Sequence, residues 1–431
     1  MGMENSHNRV QQVIDKLKVA FETTPYYLKT QEEGKLETKD DLLLSIIIPA
    51  RQEFPNIVHT FHSIMNCIEA DGIDPKEVEV IIVNNCSEDW NDERYDHSKP
   101  SDRGTTAHLM PRGAYWSRTL RVLYDPLAGN HPARTKGAKI ARGKYLFFSD
   151  SHMSYRPGCF KYGLETIKKT KGIVHFAINW MGAYPPHAGG TGTQYTIKLG
   201  EEPAKGTWAN YRPWDNDFFY IFGLGHCSLL VERKQFLDFG GYNEFGRTYG
   251  GGEFFVNALW WMMGSNVSVD PRCIGYHLAS SRGYSYNADN YKENVLGITY
   301  ALGMDDWRER GYINYLRRGR KEVLDAMMAR NEVEYAERRA RIEKERIKTW
   351  NEVLIEKPWD KMNMEKGGTK NSSSLIFHPT WLIELQNAPE YAKEAYRNSK
   401  YQKGLEKFIV ENLWENVYHK DKFDKNNLPK I

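Results

Sequence analysis

The sequence predicts an α/β domain built on parallel strands and followed by a helical C-terminal region, and three observations lead there. Residues 42–48 (Leu-Leu-Leu-Ser-Ile-Ile-Ile) and 78–83 (Val-Glu-Val-Ile-Ile-Val) are short apolar runs, as expected of strands covered on both faces. Between them Ile57, Phe61, Ile64, Met65 and Ile68 recur at helical spacing, so strand, helix and strand follow as in a right-handed parallel unit. From Asp305 onward the composition shifts to charged helix formers.

The totals set bounds on this reading. A chain of 431 residues has room for one large α/β domain plus an appendage, or for two domains. We divide it into residues 1–41 (a short amphipathic helix on Val10, Val13, Ile14, Leu17 and Phe21, then a charged linker), 42–300 (the main domain) and 301–431. The net charge of +3 is nearly balanced and names no partner by itself. Five cysteines without a Cys-x-x-Cys argue against a disulfide framework or a zinc knuckle and fit a reducing compartment. With a polar N-terminus and no apolar run near the length of a membrane span, a cytoplasmic protein is expected.

Ligands of open parallel sheets bind outside the carboxyl ends of the strands. The first run ends in Pro49-Ala50-Arg51-Gln52-Glu53, and the second in Asn84-Asn85, whose amides suit a base or ribose edge as well as a plain turn. Residues 90–128 hold few strand signals. Residues 133–143 read as a short basic helix closed by Gly143. A third strand follows, Tyr145-Leu-Phe-Phe-Ser149, ending in Asp150-Ser151-His152. In an extended segment Asp150 and His152 leave on one face, and a carboxylate beside an imidazole suits Mn²⁺ or a similar divalent ion. An ordinary strand exit with a surface Asp and His accounts for these residues too.

In order and spacing these segments resemble a GT-A glycosyltransferase of the family 2 type. Ser45-Ile-Ile-Ile-Pro-Ala-Arg-Gln-Glu53 is similar to that superfamily's first strand and Val80-Ile-Ile-Val-Asn-Asn-Cys-Ser-Glu-Asp89 to its nucleotide-binding strand. Ala133-Arg-Thr-Lys-Gly137 through Asp150 resembles the helix and strand that deliver the metal-binding Asp-x-Asp. Two departures stand out: amides at 84 and 85 replace carboxylates, and His152 replaces the second Asp. Asp-x-His is the form found in polypeptide N-acetylgalactosaminyltransferases. Gly240-Gly-Tyr-Asn-Glu244, Tyr249-Gly-Gly-Gly-Glu253 and the segment ending at His277 resemble three further segments of those enzymes. The resemblance covers roughly residues 42–285.

What it implies is a Rossmann-like mixed sheet flanked by helices, a nucleotide-sugar donor, UDP-linked, and Mn²⁺ or Mg²⁺ held by Asp150, His152 and His277. Pro49, Ala50, Arg51, Glu53, Asn84, Asn85, Arg134 and Ser151 fall at donor-binding positions. Gly251 and Gly252 allow close backbone approach at a helix start, and Arg282, in the lid candidate 280–284, is placed to meet a diphosphate. Asp150 and Glu253 are the catalytic candidates, with Glu253 holding sugar hydroxyls or the acceptor. Where inverting relatives carry a basic Asp after this Glu, the chain has Phe254, which points to retention of anomeric configuration. The aromatic-rich residues 180–220 suit either an acceptor loop or core packing.

Residues 308–348 hold thirteen Lys or Arg against eight Asp or Glu. Packed helices with salt-bridged outer faces account for this, and so does a basic arm for DNA. Val323, Leu324, Met327 and Met328 form part of one apolar stripe, and Ile342, Ile347, Trp350 and Leu354 another. A glycan or a small molecule is the acceptor expected from the resemblance, with a hydroxymethylated base of DNA as a viral-type alternative. An inactive sugar- or nucleotide-binding protein on the same fold is the rival from another class.

Overall fold

The computed structural model describes residues 42–51, 53, 56–85, 120–125, 129–180, 192–197, 205–209, 217–247, 249–278, 288–317, 319–368, 375–377, 387–417 and 425. The expected N-terminal helix and the lid candidate with Arg282 lie outside them.

β1 (Leu44–Ala50), α1 (Asn56–Ala70) and β2 (Val78–Asn85) form the expected unit, with β1 and β2 parallel from Leu44–Val78 to Ala50–Asn84. Every residue of both strands is buried, which is why the runs carry no polar alternation. β3 (Leu120–Asp125) corrects the irregular reading of 90–128: it pairs parallel with β2. Among the described residues it pairs with β2 alone, at the edge of the sheet, and its mixed Leu-Arg-Val-Leu-Tyr-Asp gives only a weak pattern.

α2 (Asn130–Ile140) ends before the glycine expected to close it; Ala141, in extended conformation, caps it. Gly143 has a different task. A Cβ there would come within 2.4 Å of the Ser45 backbone nitrogen, so the glycine lets the incoming strand lie against β1.

β4 (Tyr145–Ser149) and β5 (Met153–Tyr155) lead to α3 (Cys159–Thr170) and β6 (Ile173–Trp180). Then come β7 (Gly192–Ile197), β8 (Lys205–Ala209), β9 (Phe219–Tyr220), β10 (Ser228–Glu232), α4 (Arg233–Asp238), α5 (Gly252–Met262) and β11 (Val267–His277). The C-terminal part is α6 (Ala288–Ala301), α7 (Asp305–Leu316), α8 (Lys321–Glu334), α9 (Ala336–Glu345), α10 (Trp350–Glu356), α11 (Pro358–Glu365), β12 (Leu375–Phe377), α12 (Glu390–Arg397) and α13 (Gln402–Asn412).

The main sheet runs β3-β2-β1-β4-β10-β6-β11-β5, with β9 on β11. It is mixed: β10 is antiparallel to both β4 and β6, while β6 and β11 are parallel. A second sheet, β12-β7-β8, occupies part of the stretch read as a long aromatic loop. Its parallel partner for β7 arrives from residues 375–377, so no local signal announces it.

Aromatic packing joins the layers. Phe147 of β4 meets Phe160 of α3 and Phe176 of β6, each at 4.9 Å between ring centroids. Trp350 and Trp359 of α10 and α11 close on Phe222 at 5.6 and 5.4 Å, so one core extends from the sheet into the C-terminal helices.

Much of the basic surplus of 308–348 faces protein. Arg308 and Arg310 are buried, Arg339 forks onto Asp305 at 2.6 and 2.8 Å, and Arg338 donates to the Phe239 and Gly241 carbonyls. Leu324, Met327, Ile342, Trp350 and Leu354 are buried as expected. Ile347 is not: it lies beyond the end of α9, out of helical phase, and is 71% exposed.

Candidate metal centre

Parallel pairing of β1 with β4 and of β1 with β2 brings three strand ends to one edge. β4 finishes at Ser149, and the Asp150 N–H donates to the Cys227 carbonyl at 3.1 Å. A short loop later, β5 turns back against β11, with Met153 opposite His277 and the Leu278 N–H on the His152 carbonyl at 3.1 Å. That register carries His277, far away in sequence, onto the Asp150–His152 loop. From the other side Thr60 of α1 accepts from the Met153 N–H at 2.8 Å and donates to the Ser151 carbonyl at 2.9 Å.

Asp150, His152 and His277 each offer one ligand atom, and these atoms lie within 4.8 Å of one another. His152 Nε2 is 3.2 Å from His277 Nε2, which is 3.6 Å from Asp150 Oδ2. The other carboxylate oxygen, Oδ1, accepts from Arg134 Nη2 at 2.6 Å. The two oxygens thus divide their work: one is held by the guanidinium, the other faces the imidazoles. Two imidazoles and a carboxylate oxygen form a donor set that fits Mn²⁺ well.

Electrostatics favours the ionised ligand. Burial by itself would raise the Asp150 pKa, but the His277 hydrogen bond and the Arg134 guanidinium outweigh it and hold the group well below the usual carboxylate range. Arg134 is buried, so removing one partner of this pair would cost about 3–5 kcal/mol. An exposed pair such as Lys234–Asp238 is screened by water and contributes far less.

Behind the pair lies a set of buried rings, of which Tyr242 falls in a segment singled out in the sequence. His131, on the same helix as Arg134, stacks on Tyr242 at 5.4 Å, and Arg134 lies 5.5 Å from the centre of that ring. Tyr242 Oη meets His226 Nδ1 at 2.7 Å; His226 stacks on His175, whose Nε2 is 3.2 Å from Asn257 Oδ1. Burial keeps these imidazoles neutral: His131 is lowered to about 3, with the Arg134 charge adding to burial, and His175 to about 4. His226 is pushed well below the ordinary range. In the sequence, the spacing of His131 and Arg134 by one helical turn is the signal that could have linked them.

The remaining donor-site candidates are placed as follows. Ala50 and Ser151 are buried, and Pro49 and Arg51 stand at the end of β1. Asn84 is buried, and Asn85 accepts from the Gly129 N–H at 2.9 Å, tying the start of α2 to β2. Glu53 lies 3.2 Å from His152 Nδ1. Gly250 and Gly251 adopt φ of 115° and 77°, a conformation that favours glycine. The space beside Gly252 is filled by His131, whose Nε2 would sit 2.1 Å from an added Cβ. Glu253, in the first turn of α5, contributes its charge to the field at Arg134 and Tyr242. Phe254 turns inward, 5.3 Å from Trp350.

The mixed sheet flanked by helices, with its helical C-terminal part, is the GT-A fold expected from the sequence. Residues 45–183 match the family model described as glycosyl transferase family 2. The chain is 24% identical over 194 residues to polypeptide N-acetylgalactosaminyltransferase 3 of Drosophila melanogaster, covering 42% of this chain and 29% of that relative. It thus spans less than a third of the relative's length. Among solved structures it superposes on GalNAc-T7 with UDP, GalNAc and Mn²⁺ at a TM-score of 0.51 and 15% identity, over 68% of this chain and 55% of that one. TarS of S. aureus in complex with UDP-GlcNAc gives a TM-score of 0.40 at 14% identity, over 82% and 84% of the two chains. The GalNAc-T7 superposition supports the fold.

Proposed function

We propose that the chain is a metal-dependent glycosyltransferase that moves a sugar from a UDP-linked donor to a hydroxyl acceptor with retention of configuration. The convergence of Asp150, His152 and His277 at the carboxyl end of β4, in a domain matching glycosyl transferase family 2, carries the reading. These three residues would hold the ion, which when bound supplies positive charge for the leaving diphosphate. Arg134 keeps Asp150 ionised and oriented through Oδ1, leaving Oδ2 for the ion. Pro49, Ala50, Arg51, Asn84 and Ser151, at the carboxyl ends of β1, β2 and β4, would line the nucleotide, and Glu253 would orient sugar hydroxyls. Retention is supported by Phe254: its ring is built into the core, where an inverting relative would have a carboxylate base.

The four described cysteines are free and buried, which supports a reducing compartment, the cytoplasm, as the place of work. No helix among the described residues is long and apolar enough to cross a membrane. No observation favours DNA as the acceptor.

Hydrolysis of UDP-sugars with Mn²⁺ tests the reading. The unsubstituted protein should turn over, Asp150→Ala should lose at least about 100-fold, and anomeric NMR of a transfer product should show retention. Absence of metal-dependent turnover would favour a binding protein on this fold, and an inverted product would remove the stereochemical part alone.

A further inference from the structure

We propose that Glu53 is a positioning residue for the metal site: its carboxylate fixes the tautomer of His152 that turns the Nε2 lone pair toward the other ligands. The inference rests on the metal reading of the Asp150–His152–His277 cluster and adds a residue to it. Glu53 Oε1 lies 3.2 Å from His152 Nδ1, while His152 Nε2 points the other way, 3.2 Å from His277 Nε2. An ionised carboxylate can only accept, so this contact places the imidazole proton on Nδ1. In the neutral ring the lone pair then sits on Nε2, on the side where the other two ligands converge.

The fold delivers this pairing by laying the exits of two parallel strands side by side. β1 and β4 are parallel neighbours in register from Leu44–Tyr145 to Ile47–Phe148. Glu53 lies in the segment that leaves β1 and His152 in the segment that leaves β4. Both side chains are shielded, at 12% and 13% exposure, so the contact escapes most of the solvent screening that weakens surface pairs. A carboxylate on the far nitrogen also raises the basicity of the ligating one, and loss of such a partner typically costs about 10–100-fold in metal affinity.

The test is Mn²⁺ binding without nucleotide, read by the electron paramagnetic resonance of free Mn²⁺, together with the ¹⁵N NMR tautomer of His152, assigned by its loss in His152→Gln. Glu53→Ala should weaken Mn²⁺ binding about 10–100-fold with thermal stability near that of the unsubstituted protein. Glu53→Gln, which keeps an acceptor oxygen, should restore most of the affinity. The unsubstituted protein should show the Nδ1–H tautomer and Glu53→Ala should lose that preference. Equal Mn²⁺ affinity in Glu53→Ala, or an Nε2–H tautomer in the unsubstituted protein, overturns the assignment. If the unsubstituted protein binds no Mn²⁺, the metal reading fails, while the tautomer still decides whether Glu53 orients His152.

Discussion

At the scale of single residues, the site is specified by what surrounds each ligand. Asp150 is suited to hold an ion because one oxygen is occupied by a buried guanidinium and the other is left toward the imidazoles. Gly252 shows the same economy of space. Substituting Ala would drive a Cβ into His131, which is fixed between Tyr242 and α5, and overpacking of this kind costs about 1–3 kcal/mol. Gly404, inside α13, has nothing within 4 Å of where a Cβ would sit, so Gly404→Ala should instead stabilise by about 0.5–1 kcal/mol through helix propensity. Urea unfolding of the two variants should move in opposite directions; a neutral Gly252→Ala would show that His131 can retreat.

At the scale of elements, the ligand loop is held from three sides by α1, β10 and β11. Thr60 is the point of contact with α1, satisfying the Met153 N–H and a carbonyl of the loop at once. Thr60→Val keeps the shape and removes these bonds, leaving buried backbone groups without partners at a cost of about 1–3 kcal/mol. Urea denaturation should report that loss, with weaker Mn²⁺ binding as the loop loosens, and Thr60→Ser should recover both. Full retention of Mn²⁺ affinity in Thr60→Val would show that β5–β11 pairing alone sets the loop. The elements also explain which expectations failed. β3 is an edge strand with a mixed pattern, β7 pairs with a segment far downstream, and Ile347 falls after its helix has ended.

At the scale of the whole molecule, the buried histidines set the response to acid. His131 and His175 have folded pKa values of about 3 and 4, below the value near 6.5 of an exposed imidazole. The unfolded chain therefore takes up protons first, so the stability these groups contribute is present above about pH 6.5 and is lost as the pH falls toward 4. The limiting slope is on the order of 1 kcal/mol per pH unit for each. Urea midpoints between about pH 7 and 4.5 should fall accordingly, and a flat profile over that window would show that the imidazoles charge without unfolding. Asp150 enters only at lower pH, since its pKa lies below the carboxylate range.

Local signals made most of the frame legible. The runs that became β1, β2 and β4 are buried along their whole length, and a fully covered strand must be written in apolar residues whatever packs on it. The helical spacing that became α1 ends where the helix ends. Asp150 and His152 could be paired because they share one turn of chain. The sequence by itself thus determined the strand–helix order and where the strand ends place polar groups, because solvent exclusion and short-range geometry act residue by residue. Resemblance, not local pattern, groups His277 with Asp150; tertiary structure alone decided that the β5–β11 register brings it there, that Asn85 anchors α2, that Glu53 meets His152, and that Arg308, Arg310 and Arg338 turn inward. Each of these depends on contacts between residues tens to hundreds of positions apart, and a pairing register or a buried ion pair leaves no periodic trace in either partner alone.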